Sequence, residues 1–317
     1  MMKKSLVALA VLGASGLAMA QSTVTLYGVA DAGIGRSKID DGPNAKTKFT
    51  NGAETVNNGD SRVGVTGVED LGNGNKVGFQ FETGLRLSDG SSTGGAFWQR
   101  QANVFVSGGW GTLKMGRQFT PSFLAQGAYE LTGLANYSAL VNTYQGLVGG
   151  VGFRASSAIA YVTPNMSGFQ AALAFVSKHN IQGATKNVWD LGAWYNNGPL
   201  GAGFSVNKGL DGGKTNYQLG GKYGFGNFTV AASYQNVHRT NTNLIRRGFG
   251  LGASAKFDAF TVTLDLTRDS KNQWGAKKYT NAVLEGKYDL SKRTFLYANF
   301  LRVDKMNNWG LGIHHSF

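Results

Sequence analysis

The sequence predicts an all-β fold, a 16-stranded antiparallel β-barrel that spans a membrane. Two observations carry this prediction. Sixteen segments alternate between apolar and polar residues with a period of two, and the connections between them alternate between short and long. Such alternation indicates strands that have one apolar and one wet face. A transmembrane barrel needs both features, because its outer face meets lipid and its inner face meets water.

The N-terminal residues read as an export signal. Two lysines, an apolar stretch and the small-residue cleavage site Ala18-Met19-Ala20 follow one another, as in secretory signal peptides. We therefore expect residues 1–20 to be a signal peptide and residues 21–317 to form one barrel domain. A membrane anchor is the alternative, but it needs ~20 apolar residues without a cleavage site.

Composition excludes several classes of protein. There is no cysteine, which excludes a secreted fold stapled by disulfides. No later apolar run is long enough for a membrane helix, so a helical membrane protein is excluded as well. The net charge of +13 indicates an anionic partner. Small anions or lipid head groups are favoured over nucleic acid, because no Lys/Arg-rich run marks a nucleic-acid-binding arm.

The strand pattern begins at Thr23 and continues to the C-terminus. Its clearest case is 76–87, where Val77 and Phe79 share one face and Lys76 and Gln80 share the other. Strands are predicted over 23–35, 61–69, 76–87, 98–107, 111–118, 154–163, 168–177, 187–196, 200–207, 215–225, 228–236, 246–257, 260–269, 279–288, 293–302 and 308–317.

The connections and strand ends indicate a barrel of a bacterial outer membrane. The short connections, such as Asn197–Pro199, would be periplasmic turns, and the longer ones, such as 36–60, would be extracellular loops. Aromatic residues gather near the strand ends, as the girdles of such barrels require. A secreted sandwich, propeller or solenoid does not explain the long–short alternation. The last strand ends at Phe317, which we expect the barrel-assembly machinery to recognise.

The segment from Phe119 to Arg154 is the longest without sustained alternation. About 35 residues without regular structure exceed what a connection needs, so such a loop is functional or the assignment is wrong. If the strands close into a wide barrel, this loop can fold into the lumen and narrow it. We therefore predict a constriction loop at about 119–153.

The order of several short motifs resembles a known family. Thr25-Leu26-Tyr27-Gly28, Ser61-Arg62-Val63-Gly64, Glu69-Asp70-Leu71-Gly72-Asn73-Gly74, Gly116-Arg117-Gln118 and the closing Phe317 together are similar to the general porins of Gram-negative bacteria. The likeness is greatest to the anion-selective porins of the beta-proteobacterial group of Burkholderia, Bordetella and Comamonas, and it covers the whole mature chain.

This resemblance implies both an assembly and a function. Its members form trimers of sixteen-stranded barrels whose third long loop folds inward. It implies an outer-membrane porin for passive diffusion of small hydrophilic solutes, with a preference for anions. The implied partners are these solutes, outer-membrane lipid and lipopolysaccharide, with no cofactor, no metal and no enzymatic step.

Three arginines are the candidate constriction residues. The parity of the strands places Arg62 on the lumen face, and Arg154 opens the strand after the long loop. Arg100 is less secure, since it shares parity with Ala102. In porins that this chain resembles, arginines at matching places cluster on the wall that faces the inserted loop. Such a cluster would attract anions at the narrowest point.

The predicted loop contributes one acid and no base. Glu130 is the candidate carboxylate of the constriction, and we expect it to be too little to balance the arginines, which favours anions. Further cations with lumen-facing parity could form a ladder toward the constriction. These are Lys76, Arg86, Lys114, Lys222, Lys256 and Lys287.

Other chemistry has little support in the sequence. His314 and His315 are adjacent on one strand and so point to opposite faces, which makes a poor metal site. The histidine distribution does not support an outer-membrane protease or phospholipase. Two alternatives stay open, a substrate-specific channel for phosphate or organic acids and a surface adhesin or other binding barrel.

Overall fold

The chain closes into an antiparallel β-barrel. The structure is a computed structural model and describes residues 23–144, 152–182, 184–208, 214–239, 244–275 and 277–317. The strands are β1 (Thr23–Arg36), β2 (Lys48–Thr50), β3 (Arg62–Gly72), β4 (Asn75–Gly84), β5 (Gln101–Gly108), β6 (Gly111–Phe119), β7 (Arg154–Val162), β8 (Phe169–Val176), β9 (Val188–Asn197), β10 (Leu200–Lys208), β11 (Asn216–Phe225), β12 (Phe228–His238), β13 (Ile245–Phe257), β14 (Phe260–Asn272), β15 (Thr280–Asp289), β16 (Thr294–Val303) and β17 (Met306–Ser316). The predicted signal peptide lies outside the described residues and stays a prediction.

The first strand closes the barrel by pairing along both of its edges. Thr23–Val29 pairs with β3, and Val29–Arg36 pairs with β17. The C-terminal residue completes the seam, because the backbone amide of Gly28 donates to the carbonyl of Phe317 at 3.0 Å. All strands except the short β2, which pairs with β1, form the closed ring, so the predicted 16-stranded barrel is confirmed.

The outside of the barrel is apolar and its lumen side is polar. On β14, Leu264 and Leu266 are 44% and 37% exposed, whereas their neighbours Asp265 and Thr267 are buried. This arrangement reverses the usual burial rule of water-soluble proteins, and it requires an apolar medium around the barrel. The alternation that predicted the strands therefore also predicted which side chains face lipid.

The strand ends depart from the prediction in a few places. β4 ends at Gly84 rather than at residue 87, and β5 begins at Gln101 rather than at residue 98, because the connection between them folds back on itself. Within it, the backbone amide of Arg86 donates to the carbonyl of Ser91 at 2.7 Å. β2 lies inside a predicted loop, and only Asp304 and Lys305 join β16 to β17.

Short helices interrupt the connections. They are α1 (Lys38–Asp41), α2 (Pro121–Gly127), α3 (Ala139–Thr143) and a 3₁₀ turn (Lys178–Asn180). The prediction that the long segment has no regular structure was therefore wrong for α2 and α3. Helices of two turns or fewer are too short to establish a 3.6-residue period. Within the described ranges, no helix is long and apolar enough to cross a membrane.

Candidate functional site

The long segment between β6 and β7 lies against the lumen face of the barrel. Proline at the first position of α2 starts the helix, since its fixed φ suits a helix start and its missing amide costs nothing there. Where the backbone of α2 and the ring of Tyr129 come nearest to the wall, they pack on glycine. A Cβ atom at Gly203 would collide with the carbonyl oxygen of Ala125, and one at Gly220 would collide with the ring of Tyr129. Glycine thus allows backbone-to-backbone packing here.

Polar side chains of three adjacent strands hold the start of α2. The buried carboxylate of Asp190 on β9 accepts hydrogen bonds from the backbone amide of Ser122, at 3.1 Å, and from its hydroxyl. Asn207 on β10 donates to the same hydroxyl at 3.0 Å, and Gln218 on β11 donates to the Ser122 carbonyl at 2.7 Å. These bonds satisfy the polar groups that burial of the helix start takes from water.

The far end of the segment is held by a second set of bonds. The Tyr137 hydroxyl donates to Glu285 at 2.6 Å and accepts from Asn58 at 2.8 Å. Burial, reinforced by the Glu285 carboxylate, raises the pKa of Tyr137 well above its usual value, so the hydroxyl keeps its proton at neutral pH. Thr143 is hydrogen bonded to Thr267 of β14 at 2.9 Å. The described part of the segment is therefore attached to the lumen side of β9, β10, β11, β14 and β15.

A cavity of about 650 Å³ separates this segment from the opposite wall. All three arginines singled out from the sequence line it, together with loop residues such as Asn136 and Asn142. Arg62 and Arg154 are the first residues of β3 and β7, and Arg100 directly precedes β5, whereas the start of α2 is held by β9, β10 and β11. We call Arg62, Arg100 and Arg154, with the carboxylates beside them, the arginine wall.

Arg100 is the most enclosed of the three arginines. Its Nε lies 2.6 Å from Oε1 of Glu82, and its Nη1 forms an ion pair with Asp60. Its side chain is only 9% exposed. Asp60 also accepts from the amide of Asn136 at 2.8 Å, so a single carboxylate joins the arginine wall to the loop.

Arg62 and Arg154 are bound less tightly by acids. Nε of Arg62 lies 3.8 Å from Glu82, and the Arg62 side chain is 28% exposed. Among the described residues, Arg154 has no carboxylate partner within ion-pair distance. Its guanidinium carbon lies 4.5 Å from the centre of the Phe119 ring, and a ring can hold a guanidinium in place while leaving its N–H groups unused.

An aromatic group supports Arg154 from the loop side. The ring centres of Phe119 and Phe123 are 5.1 Å apart, and those of Phe123 and Phe153 are 5.1 Å apart. All three rings line the cavity with Arg154. They close the junction between β6, α2 and β7, where the chain leaves the wall and returns to it.

A buried network positions the first long loop, which carries Asp60. Asp31 of β1 is fully buried and accepts from Tyr297 at 2.6 Å and from Asn57 at 3.0 Å. The ring of His314 lies 2.9 Å from the same carboxylate, while His315 faces the other way and is hydrogen bonded to Thr294. The adjacent histidines thus point to opposite faces, as their parity predicted.

Comparison with known proteins decides the family. A family model described as Gram-negative porin matches residues 5–308. The chain belongs to the Gram-negative porin family. Outer membrane porin protein 32 of Delftia acidovorans is 34% identical, over 98% of this chain and 92% of that protein. The predicted family, the outer-membrane location and the porin channel are therefore confirmed.

Solved porin structures share the fold. An anion-selective porin from Comamonas acidovorans superimposes with a TM-score of 0.78 at 24% identity, over 94% of this chain and 100% of that chain. OmpT of Vibrio cholerae, solved in a trimer form, superimposes with a TM-score of 0.68 at 16% identity, over 93% of this chain and 99% of that chain. At these identities the likeness supports the porin fold alone.

The structure places Glu130 away from the three arginines. Its carboxylate is buried and accepts from the Thr132 hydroxyl and the Leu134 amide, both at 2.7 Å. It shares a small gap with Asp265 of β14, on the side of the barrel that anchors the segment, and does not line the arginine cavity. Its position does not support the assignment of Glu130 to the constriction. Hydrogen bonds within the loop, which the sequence does not reveal, turn the Glu130 carboxylate back toward the loop itself.

The acids that matter at the cavity come from elsewhere. Asp60, in the first loop, and Glu82, on β4, both contact Arg100, and Asp40 lines the same cavity. A count of acids in the inserted loop alone missed them. The parity of β4 places Glu82 on the lumen face, opposite the apolar Phe81, and that signal could have found it. Three carboxylates and three arginines thus line this cavity, so its formal charge is not strongly positive, contrary to what the sequence suggested.

Three of the lysines keep the predicted lumen-facing parity. Lys76 shares its face with Glu82 near the short-turn end of β4. Lys114 lies 5.7 Å from the ring centre of Phe105, and Lys222 is within electrostatic range of Glu130. None of the three lines the cavity between the segment and the arginine wall.

The remaining cations have other surroundings. Arg86 lies in the connection after β4, outside any strand. Lys256 pairs with Asp289 at 3.0 Å near the short turns. Lys287 donates to the carbonyl of Thr132 at 3.0 Å, so it helps to anchor the inserted segment. An alternating pattern predicts which face of the strand a side chain is on, but it does not predict which residue that side chain contacts.

Proposed function

We propose that this porin passes small hydrophilic solutes by diffusion, prefers anions, and selects them at the cavity between the inserted segment and the arginine wall. The observation that carries the proposal is the convergence of Arg62, Arg100 and Arg154 on one cavity. Fixed guanidinium groups at a narrow, wet point lower the free energy of an anion and raise that of a cation.

The three acids at the cavity do not cancel this preference, because donors already occupy their oxygens. Those of Asp40 accept from the backbone amide and the hydroxyl of Thr55, at 2.8 and 2.9 Å. Glu82 accepts from Arg100 and from the Tyr27 hydroxyl, at 2.6 and 3.1 Å. Asp60 accepts from Arg100 and Asn136. A passing cation would have to displace these donors, whereas a passing anion meets the N–H groups of Arg154 directly. We assign the main contact with the anion to Arg154, with Arg62 second.

The first test is the zero-current potential of the purified protein in a planar bilayer under a KCl gradient. Arg154→Ala and Arg62→Ala should each move the potential from Cl⁻ preference toward neutrality, and Arg154→Ala should have the larger effect. Arg293→Ala, which removes an exposed cation from a short turn, is the matched control and should retain the wild-type potential. Cation preference of the wild type, or cavity variants that match the control, would overturn the proposal. Conductance that saturates at low phosphate concentration would instead indicate a substrate-specific channel.

We also propose that the porin is a homotrimer that assembles through the outer face of β1, β3 and β4. The outward positions of β1 include the apolar Ala30 and Ala32, and a row of outward rings lies beside them. Ring centres in that row are 5.3 Å apart for Phe79 and Phe81 and 5.5 Å apart for Phe81 and Trp98. The trimer form of the Vibrio cholerae neighbour is consistent with this assembly. The mass of the detergent-solubilised complex, measured by light scattering, would be that of one chain if the proposal is wrong.

A further inference from the structure

The cavity beside the arginine wall has an apolar side as well as a charged one. Phe119, Phe123 and Phe153 line it together with the arginines, and all three rings are only half-buried. Leu134 of the inserted segment adds a further apolar side chain to the lining. Selection by charge alone does not need rings at this point, and apolar surface exposed to water is unfavourable. We call the three phenylalanines the ring cluster.

The ring cluster is continuous with the guanidinium group of Arg154. The guanidinium carbon lies 4.5 Å from the centre of the Phe119 ring, and the ring centres of Phe119 and Phe123 are 5.1 Å apart, at an interplanar angle of 26°. Phe153 extends the cluster, with its ring centre 5.1 Å from that of Phe123. A cation and an aromatic surface therefore lie side by side on one cavity.

The backbone holds the ring cluster in place. Phe119 and Arg154 are opposite each other in the pairing of β6 with β7. The backbone amide of Thr120 donates to the carbonyl of Phe153 at 3.1 Å. Phe123 lies in the first turn of α2, whose start is hydrogen bonded to β9, β10 and β11. A ligand that packs on these rings therefore loses little free energy in ordering them.

The charges at the cavity do not by themselves favour one anion over another. Three arginines and three carboxylates line it, so an anion is attracted mainly where guanidinium N–H groups remain open. Arg154 rests on the Phe119 ring, and Arg62 donates from Nη1 to the backbone carbonyl of Asp60 at 3.0 Å, with its side chain 28% exposed. Chloride can use only the N–H groups. A carboxylate on a flat apolar body can use the rings as well.

We propose that this cavity binds aromatic carboxylates in preference to chloride and to aliphatic carboxylates. The carboxylate group contacts Arg154, and the aromatic body packs on Phe123 and Phe153. Guanidinium recognises a carboxylate through two parallel hydrogen bonds, and ring–ring contacts favour an aromatic body over an aliphatic one. Passage requires that the solute leave again, so the binding is weak. The inference rests on the proposed function, because it needs this cavity to lie on the path of the solute.

The test measures the concentration of sodium benzoate that halves the chloride current through single channels in a planar bilayer. Sodium acetate, a carboxylate without a ring, is measured in the same way. In the wild type, benzoate should halve the current at a concentration about three- to tenfold lower than acetate does, because ring contacts add to the same carboxylate contact. Phe123→Ser should bring the ratio of the two concentrations close to one.

Leu124→Ser is the matched control. It removes a neighbouring exposed apolar side chain of α2 that does not line the cavity, and it should keep the wild-type ratio. If Phe123→Ser does not fold, Phe123→Leu, which keeps an apolar side chain without a ring, should still lower the ratio.

Three outcomes would overturn this assignment and leave the anion preference of the channel intact. One is an equal effect of benzoate and acetate on a wild type that still prefers Cl⁻ over K⁺. Another is the same ratio in Phe123→Ser and Leu124→Ser. The third is block by benzyl alcohol at the benzoate concentration, which would assign the cavity to neutral apolar solutes. Cation preference of the wild type in the zero-current measurement would instead overturn the proposed function, and this inference with it.

Discussion

The two walls of the lumen use opposite means to shape one channel. The arginine wall keeps three cations and two contacting carboxylates beside an open cavity. The wall of β9–β15, which we call the anchoring wall, holds the inserted segment by close packing on glycine and by hydrogen bonds, including those of the charged groups Asp190, Glu285 and Lys287. A buried charge is costly unless it is hydrogen bonded, and the charges of the anchoring wall are bonded to the segment, whereas those of the arginine wall adjoin the cavity. Selectivity and shape are thus assigned to different strands.

The strongest test of this division is to add one methyl group to the anchoring wall. A Cβ at Gly203 would meet the backbone carbonyl of Ala125, which cannot rotate away. Gly203→Ala should therefore push α2 into the lumen, lower the single-channel conductance, and reduce the stability of the fold by about 1–3 kcal/mol. Bilayer recordings and thermal unfolding followed by circular dichroism measure the two effects.

Gly221→Ala is the matched control, because its Cβ would have no atom nearer than 3.6 Å. It should leave conductance and unfolding unchanged. If Gly203→Ala also left conductance and unfolding unchanged, close packing would not hold α2 in place. The anchoring wall would then position α2 through hydrogen bonds alone.

A second test alters the arginine wall without touching an arginine. Asp60→Asn removes the carboxylate that Arg100 shares with Asn136, so it releases positive charge into the cavity. We expect the Cl⁻/K⁺ permeability ratio, obtained from the zero-current potential, to rise severalfold. Asp89→Asn, in an exposed loop, removes an acid far from the cavity and serves as the control. A shift toward K⁺ would mean that Asp60 acts mainly by positioning Arg100.

The sequence predicted the barrel and the lumen facing of Arg62 and Arg154, but it did not predict the contacts of the anchoring wall, for a physical reason. Period-two alternation is a local property of the sequence, so it predicted the sixteen strands and the lumen-facing orientation of Arg62 and Arg154. The contacts of Glu130 and Lys287 depend on how a long segment folds across the lumen. No local sequence pattern predicts the path of that segment through the lumen. The glycines were visible as a high count, but only the structure identifies Gly203 as a packing position.

The smallest effect is expected from a single hydroxyl on the loop side. Tyr137→Phe removes the hydrogen bond to Glu285 but keeps the ring, whose centre lies 5.9 Å from that of Tyr297. Lys287, 3.1 Å from Glu285, still neutralises that acid. The free energy of unfolding, measured by thermal denaturation, should therefore fall by only about 1 kcal/mol, and the ion selectivity should not change. Tyr223→Phe, which removes an exposed hydroxyl from the outer face, gives the baseline. A loss clearly greater than that of Gly203→Ala would show that hydrogen bonds, rather than close packing, fix the inserted segment, because Tyr137→Phe removes a hydrogen bond whereas Gly203→Ala introduces a clash.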